Sequence, residues 1–326
     1  MKHFPFYTIT GLVLALAGGV LLGLNHALAA AICALLGYFV AMKDFSKYTS
    51  LLQFATQFVA AIVAGLALDW PLSGVPYLTL ALFFLALCNF ARIVFFRFFG
   101  YTGHTWMEPV TFVIALGFYL AGNLLREASW EDWALPVPAF FFAALIAWGI
   151  LKDKKQLLGV TSKGYRIAIG AEAPEFSLPD QDGNTTKLSE FRGKRHMLLI
   201  FVRGDWCPGC HMMLRTYQRE AERFRQKNIY VLSIGPDPVG VNRDMVERLG
   251  LDFKVLADEG QKTAMVYGVQ MQEYDNDFAE KYDEGIPLPA SFLVDINGKV
   301  RYVSRPDKVG EFLNPSLIFP IIDQLN

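Results

Sequence analysis

Long unbroken apolar runs fill the first 151 residues of the chain; after them come short apolar runs separated by polar, helix-forming stretches. Six of the long runs, roughly residues 6–24, 26–42, 51–69, 76–96, 109–125 and 135–151, are long enough or nearly so to cross a hydrocarbon core of about 30 Å. They predict an N-terminal α-helical transmembrane bundle of about six spans (residues 1–151). The first run, from Phe6 to Leu24, is long for a signal peptide and is followed at once by further spans, so it reads as a retained helix.

The second pattern predicts a different architecture. His196 to Val202 is an apolar run of strand length, and Ile229 to Ile234 is another. Between them Met213, Leu214, Tyr217, Ala221 and Phe224 fall on one helical stripe. A helix from Val239 to Leu249 ending at Gly250, a strand at Phe253–Leu256 and a helix from Gln261 to Tyr267 ending at Gly268 continue the alternation. Ser291–Asp295 and Val300–Ser304 are strands joined by the hairpin signal Ile296-Asn-Gly-Lys. Upstream, Phe176 and Leu178 alternate toward a core, Asp182-Gly183-Asn184 marks a hairpin turn, and Ser189–Gly193 is a short helical turn. Strands alternating with helices indicate an α/β layered domain over residues 168–326. Lys152 to Arg166 reads as a basic linker (152–167), Val269 to Glu284 as a polar loop or insertion, and Val309 to Leu325 as an apolar helix broken by Pro315 and Pro320.

Charge sharpens the division. Residues 1–151 hold six basic and six acidic side chains, and the remainder holds 24 and 25. With hydrophobic residues at 53%, the chain is too apolar for an ordinary soluble protein, and its net charge of −1 gives no reason to expect nucleic acid as a partner. The lipid bilayer is the expected partner of the first half. Lys2, Lys43, Lys47, Arg97, Lys152, Lys154 and Lys155 fall on one side of the spans, which predicts both termini and the C-terminal domain on the cytoplasmic side. Trp70, Trp130 and Trp133 sit at outer ends as interfacial anchors; one span more or fewer places the domain outside. Gly18, Gly19, Gly23 and Gly37 suit close helix packing. Arg92, near the end of its span, is read as snorkelling to the interface. His104 and Glu108 are spaced as metal ligands but lack a fixed scaffold. Cys33 and Cys88 fall in spans two and four at depths differing by roughly 7–8 Å at about 1.5 Å per residue, and read as small buried hydrophobes rather than an electron relay.

The candidate chemistry lies in Phe201-Val-Arg-Gly-Asp-Trp-Cys-Pro-Gly-Cys210. A strand, a sharp loop and a helix start put Cys207 at a helix N-terminus, where unpaired N–H groups and the helix dipole favour a thiolate. In a Cys-X-X-Cys motif a thiol falls from about 8.5 to about 7 or below. Cys210, one turn on, is placed to attack a mixed disulfide formed on Cys207. Zinc would need further soft or imidazole ligands, and this half offers only His196 and His211. No metal or bound cofactor is expected. Arg203 is placed to stabilise the Cys207 thiolate and Asp205 to tune it; the alternative is that both are solvated loop residues or pair with each other.

Five stretches carry a resemblance: Ala173-Pro-Glu-Phe-Ser-Leu-Pro-Asp with Gly183, Leu188-Ser-Glu-Phe-Arg-Gly-Lys, Arg203-Gly-Asp-Trp-Cys-Pro-Gly-Cys, Leu256-Ala-Asp-Glu with Tyr267-Gly-Val, and Phe292-Leu-Val-Asp with Gly298. In this order they resemble the redoxin superfamily, which joins alkyl hydroperoxide reductase/thiol-specific antioxidant proteins to thioredoxin-like reductases. The resemblance implies a thioredoxin-like fold and two rival chemistries. Peroxiredoxins carry a threonine or serine three before the peroxidatic cysteine and an arginine three before the phenylalanine of the late strand. Those positions here are Gly204 and Pro289. A proline at the late position is what thioredoxin-like proteins carry, in a cis peptide beside the dithiol, with an ordinary trans turn after Pro287 as the alternative, and Trp206 also fits the reductase pattern. The buried carboxylate that thioredoxins often keep six before the first cysteine is here Phe201. The resemblance therefore implies a thiol–disulfide oxidoreductase with Cys207 as nucleophile, Cys210 as resolving thiol, and Trp206, Pro208 and Pro289 around them. Its partners are a disulfide substrate and an external thiol reductant. A thiol peroxidase acting on hydroperoxide, and a membrane transporter or sensor with a regulatory redoxin domain, are the alternatives.

Overall fold

The computed structural model describes residues 4–45, 47, 50–94, 104, 106–161, 167–272, 282–304 and 315–325. The chain divides into two compact units, one from Phe4–Phe95 and His104–Lys152, the other chiefly from Asp153–Asn326.

The first unit is built from α1 (Phe6–Gly23), α2 (Ala27–Ala41), α3 (Leu51–Leu68), α4 (Tyr77–Val94), α5 (Met107–Leu125), the short α6 (Trp130–Ala134) and the start of α7 (Val137–Thr161). Five stretches are long and apolar enough to cross a membrane: Phe6–Gly23, Ala27–Asp44, Leu51–Leu68, Met107–Leu125 and Trp130–Leu157; the apolar part of α4, Tyr77–Arg92, is shorter. Its burial pattern is inside-out. Thr8, Gly11, Ala15 and Gly18 form the buried stripe of α1, while Val13, Leu16 and Val20 face outward. Small residues let backbones approach without a hydrophobic drive between helices. A Cβ on Gly11 would lie 2.5 Å from the Gly37 carbonyl oxygen, so neither α1 nor α2 tolerates a side chain at this crossing. Gly18 and Gly37 fulfil their expected packing role, whereas Gly19 and Gly23 face open space.

Two expectations for this unit are corrected. Arg92 does not snorkel. It is 4% exposed and its guanidinium grips Glu108 from α5 at 2.5 and 2.9 Å, because a paired carboxylate within reach holds the charge inside. Glu108 is thereby engaged by Arg92, and His104 offers its backbone carbonyl to the same guanidinium at 3.1 Å. Asp69, at the end of the third predicted span, is buried, pairs with Arg126 at 2.7 Å and accepts the backbone N–H groups of Leu78 and Thr79, capping the start of α4. Finally, α7 does not stop at residue 151. Lys152 to Gln156 are good helix formers with no proline or glycine among them, so the helix runs on to Thr161 through half of the expected linker.

The second unit begins with the expected hairpin, β1 (Ser177–Pro179) paired with β2 (Thr185–Lys187). Its main sheet is five-stranded and mixed, built from β3 (His196–Phe201), β4 (Ile229–Gly235), β5 (Lys254–Ala257), β8 (Ala290–Val294) and β9 (Val300–Val303). The order across it is β5-β4-β3-β8-β9, that of a thioredoxin-like fold. Strands β3, β4 and β5 are parallel, and β8 and β9 antiparallel to their neighbours. A second short pair joins β6 (Gln270–Met271) to β7 (Ile286–Pro287). The polar stretch from Val269 to Glu284 thus starts with a short strand; residues 273–281 lie outside the described residues, as do 305–314 of the expected C-terminal helix. The chain closes on a turn at Pro315–Leu317 and a helix at Phe319–Asp323.

Why β3 is an unbroken apolar run is plain from its neighbours. Leu198, Ile200 and Val202 pack on one face, with Met213, Leu214 and Tyr217 of α8 (Pro208–Arg219) and Met245 and Leu249 of α10 (Val239–Leu249). Met197, Leu199 and Phe201 pack on the other, with Phe176, Leu188, Ala264 and Tyr267. A strand covered on both faces has no polar side to alternate. Between α8 and α10 the chain forms α9 (Ala221–Gln226), set off from α8 by a break at Glu220. Leu157, near the end of α7, is fully buried in the second cluster, so the last turns of that helix belong to this unit.

Candidate active site

The dithiol sits at the carboxyl end of β3, where open α/β sheets bind their ligands. Phe201 ends the strand, residues 202–206 form a loop, and α8 starts at Pro208. Proline at the first helical position loses only an N–H that would be unpaired anyway. Cys207 takes the N-cap position. Its sulfur does what a serine or aspartate oxygen does at other helix starts: it accepts the backbone N–H of Cys210 at 3.2 Å. Cys210 in turn accepts the backbone N–H of Arg203 at 3.5 Å. Both thiols are buried, 4% and 1% exposed, and both are reduced.

Their acidities are pushed apart. Burial alone would raise Cys207, but the Cys210 thiol, the Arg203 charge and the Cys210 backbone N–H outweigh it and hold Cys207 below an ordinary thiol. Burial and the neighbouring Cys207 push Cys210 well above the usual thiol range. The two thiols of the pair therefore differ in acidity, Cys207 the lower and Cys210 the higher.

Arg203 and Asp205 are neither solvated nor loose. Arg203, 2% exposed, holds Asp153 of α7 in a two-point grip at 2.8 and 3.1 Å. Asp205 accepts from His211 Nε2 at 3.1 Å and from Arg248 of α10. His211 is fully buried, and burial outweighs the pull of Asp205 to lower its pKa, so its ring stays neutral at pH 7. The Asp205 backbone N–H donates to Asp237, just past β4, and Tyr282 donates to the other oxygen of the same carboxylate. Gly204 bends the loop with φ +130, a conformation reserved for glycine. A Cβ there would meet the Tyr282 hydroxyl at 2.5 Å and Asp237 at 3.1 Å.

Trp206 is half-buried and packs against both core clusters. Pro289 precedes Ala290, which pairs with Phe201, so its register position is level with the start of the dithiol loop. The expected cis bond is not there: the only cis peptide among the described residues is Trp70–Pro71, and Leu288–Pro289 is trans. The Leu288 N–H just before it donates to the Val269 carbonyl. Cys33 and Cys88 take no part in this site. Their thiols donate to the carbonyls of Leu14 and Glu108 at 3.3 and 3.4 Å.

Residues 169–303 match the model of the AhpC/TSA family. Over 140 residues the chain is 31% identical to the thiol-disulfide oxidoreductase ResA of Geobacillus thermodenitrificans, covering 42% of this chain and 69% of that one. The chain belongs to the AhpC/TSA family. A putative chloroplastic peroxiredoxin Q of Oryza sativa subsp. indica is 29% identical over 153 residues, 45% of this chain and 66% of the rice protein, just under two thirds of its length. Among solved structures, peroxidoxin BcpB of Mycobacterium tuberculosis aligns with 49% of this chain and 99% of its own at 20% identity and a TM-score of 0.43. The AhpC/TSA segment contains the dithiol, whereas Asp153 lies 16 residues before its start (169 − 153) and Ile318, Phe319 and Ile322 of the same core cluster lie beyond its end. Sequence reasoning also missed His211, Asp237, Arg248 and Tyr282. His211 was legible only as a possible ligand, and Asp237 has one signal: it follows β4 as Asp205 follows β3.

Proposed function

We propose that this AhpC/TSA protein is a membrane-anchored thiol–disulfide oxidoreductase that reduces disulfides with Cys207 and Cys210. The observation that carries it is the pairing of an acidified Cys207 with a proton-holding Cys210 one turn away, whose N–H already rests on the Cys207 sulfur. The Cys207 thiolate attacks a substrate disulfide, forming a mixed disulfide and expelling one substrate thiolate. Deprotonated Cys210 then attacks the Cys207 sulfur, expelling the second substrate thiolate and leaving Cys207–Cys210 oxidised. Two electrons pass to the substrate, and an external dithiol restores the pair. The ResA relatives, named thiol-disulfide oxidoreductases, support this reading.

The second reading, a thiol peroxidase, is favoured by the peroxiredoxin Q relatives. Against it stands Gly204, where peroxiredoxins carry a hydroxyl side chain: its positive φ and the crowding by Tyr282 and Asp237 leave no room for one. Stopped-flow oxidation of the reduced full chain decides between them. A model protein disulfide should oxidise Cys207–Cys210 faster than hydrogen peroxide does, and a faster reaction with peroxide would reverse the order. The apolar helices serve as the anchor, with the dithiol on the cytoplasmic side. A membrane-impermeant thiol reagent should then label Cys207 only after lysis.

A further inference from the structure

We infer that Asp153 is a positioning residue that sets the reactivity of Cys207 through Arg203. The inference rests on the reading of Cys207 as a nucleophile, though not on the identity of its substrate. Arg203 lies four residues before Cys207 and its guanidinium is 2% exposed. A cation so deep in the protein needs a counter-charge, and it finds Asp153, whose side chain is 11% exposed, at 2.8 Å from Nη2 and 3.1 Å from Nη1. The two-point grip fixes the plane of the guanidinium as well as its distance, since both nitrogens of the fork meet both oxygens of the carboxylate.

Arg203 thus holds a carboxylate on its guanidinium while its backbone N–H donates to the Cys210 sulfur at 3.5 Å. The Arg203 charge favours the Cys207 thiolate, and Asp153 opposes it. A carboxylate that binds the same guanidinium divides its field: the more of that charge Asp153 neutralises, the less remains for sulfur. Coupling of this kind is reciprocal. Forming the thiolate strengthens the claim of Cys207 on Arg203, and oxidation to a neutral disulfide returns Arg203 to Asp153. The strength of the α7 contact is thus tied to the state of the dithiol. Asp153 lies outside the AhpC/TSA segment, on a helix that begins as an apolar stretch at Val137, so this device is an addition to the redoxin domain rather than part of it.

The test is the pH profile of Cys207 alkylation by iodoacetamide in the reduced full chain, with Cys207 and Cys210 resolved by peptide mass spectrometry. Asp153→Asn should move the midpoint down by about one pH unit, and Asp153→Glu, which keeps the charge, should return it to the parent value. Arg203→Gln should move it up. The double variant, which removes both charges of the pair and so guards against misfolding of the single one, should lie below Arg203→Gln by less than Asp153→Asn lies below the parent. A midpoint in Asp153→Asn that is unmoved or raised overturns the inference, as does a double variant that lies below Arg203→Gln by as much as Asp153→Asn lies below the parent. Because alkylation needs no substrate, a correct pH pattern with no disulfide reduction would reject the oxidoreductase reading and leave this inference standing.

Discussion

Arg92 in the helical unit and Arg203 in the redoxin unit are both buried, and each holds a carboxylate through two guanidinium nitrogens. What differs is the thiol beside each pair. Next to Arg92–Glu108, Cys88 donates to the Glu108 carbonyl from the middle of a helix. Next to Arg203–Asp153, Cys207 stands at a helix start, accepts an N–H and feels the arginine charge. Burial and a nearby arginine are common to both thiols. The helix N-terminus, which supplies donors to a sulfur anion, makes the difference. In the helical unit the ion pair joins two helices; in the redoxin unit it lies four residues before a thiol at a helix start.

The comparison breaks first if the cysteines are interchangeable. Cys207→Ser should lower disulfide reduction at least ~10³-fold, as removal of a covalent nucleophile does, whereas Cys33→Ala and Cys88→Ala should stay within about twofold of the parent in the same insulin-reduction assay. Next, Arg92→Met alone should destabilise the detergent-solubilised chain by about 3–5 kcal/mol through an unpaired buried Glu108, with Arg92→Met/Glu108→Leu recovering most of it in thermal unfolding. A smaller effect concerns pH. His211 has a folded pKa below its unfolded value of about 6.5. The unfolded chain therefore takes up the proton first on acidification. Stability is held above pH 6.5 and lost as the pH falls toward the folded value, by at most about 1.4 kcal/mol per pH unit. His211→Gln should flatten the fall in Tm between pH 7 and pH 5. Smallest is the effect at Gly19, which faces open space: Gly19→Ala should leave Tm nearly unchanged, whereas Gly11→Ala should lower it, by about 1–3 kcal/mol of overpacking.

Much of this was legible in the chain. The apolar runs gave the six longest helices of the first unit, and the run from His196 onward gave β3, because a doubly covered strand and a membrane span both write themselves as uninterrupted hydrophobicity. The Cys-Pro-Gly-Cys spacing gave the N-cap placement of Cys207, which depends only on local geometry. What was not legible depends on partners far along the chain. Arg203 finds Asp153 at a separation of 50 residues and Asp205 finds Arg248 at 43. No local pattern announces either, and a charged residue without a visible partner reads as solvated. Arg92 misled for the same reason. The helix through residues 152–161 was missed because its polarity changed while its propensity did not.

The most direct test of the central claim is to trap the intermediate. In the reduced full chain carrying Cys210→Ser, incubation with a disulfide-bonded protein should yield a mixed disulfide on Cys207, seen as one adduct per chain by intact mass and released by dithiothreitol. An adduct confined to Cys33 or Cys88, or a Cys207 that remains free while the same preparation is oxidised to sulfenic acid by peroxide, would contradict Cys207 as the thiol that attacks disulfides.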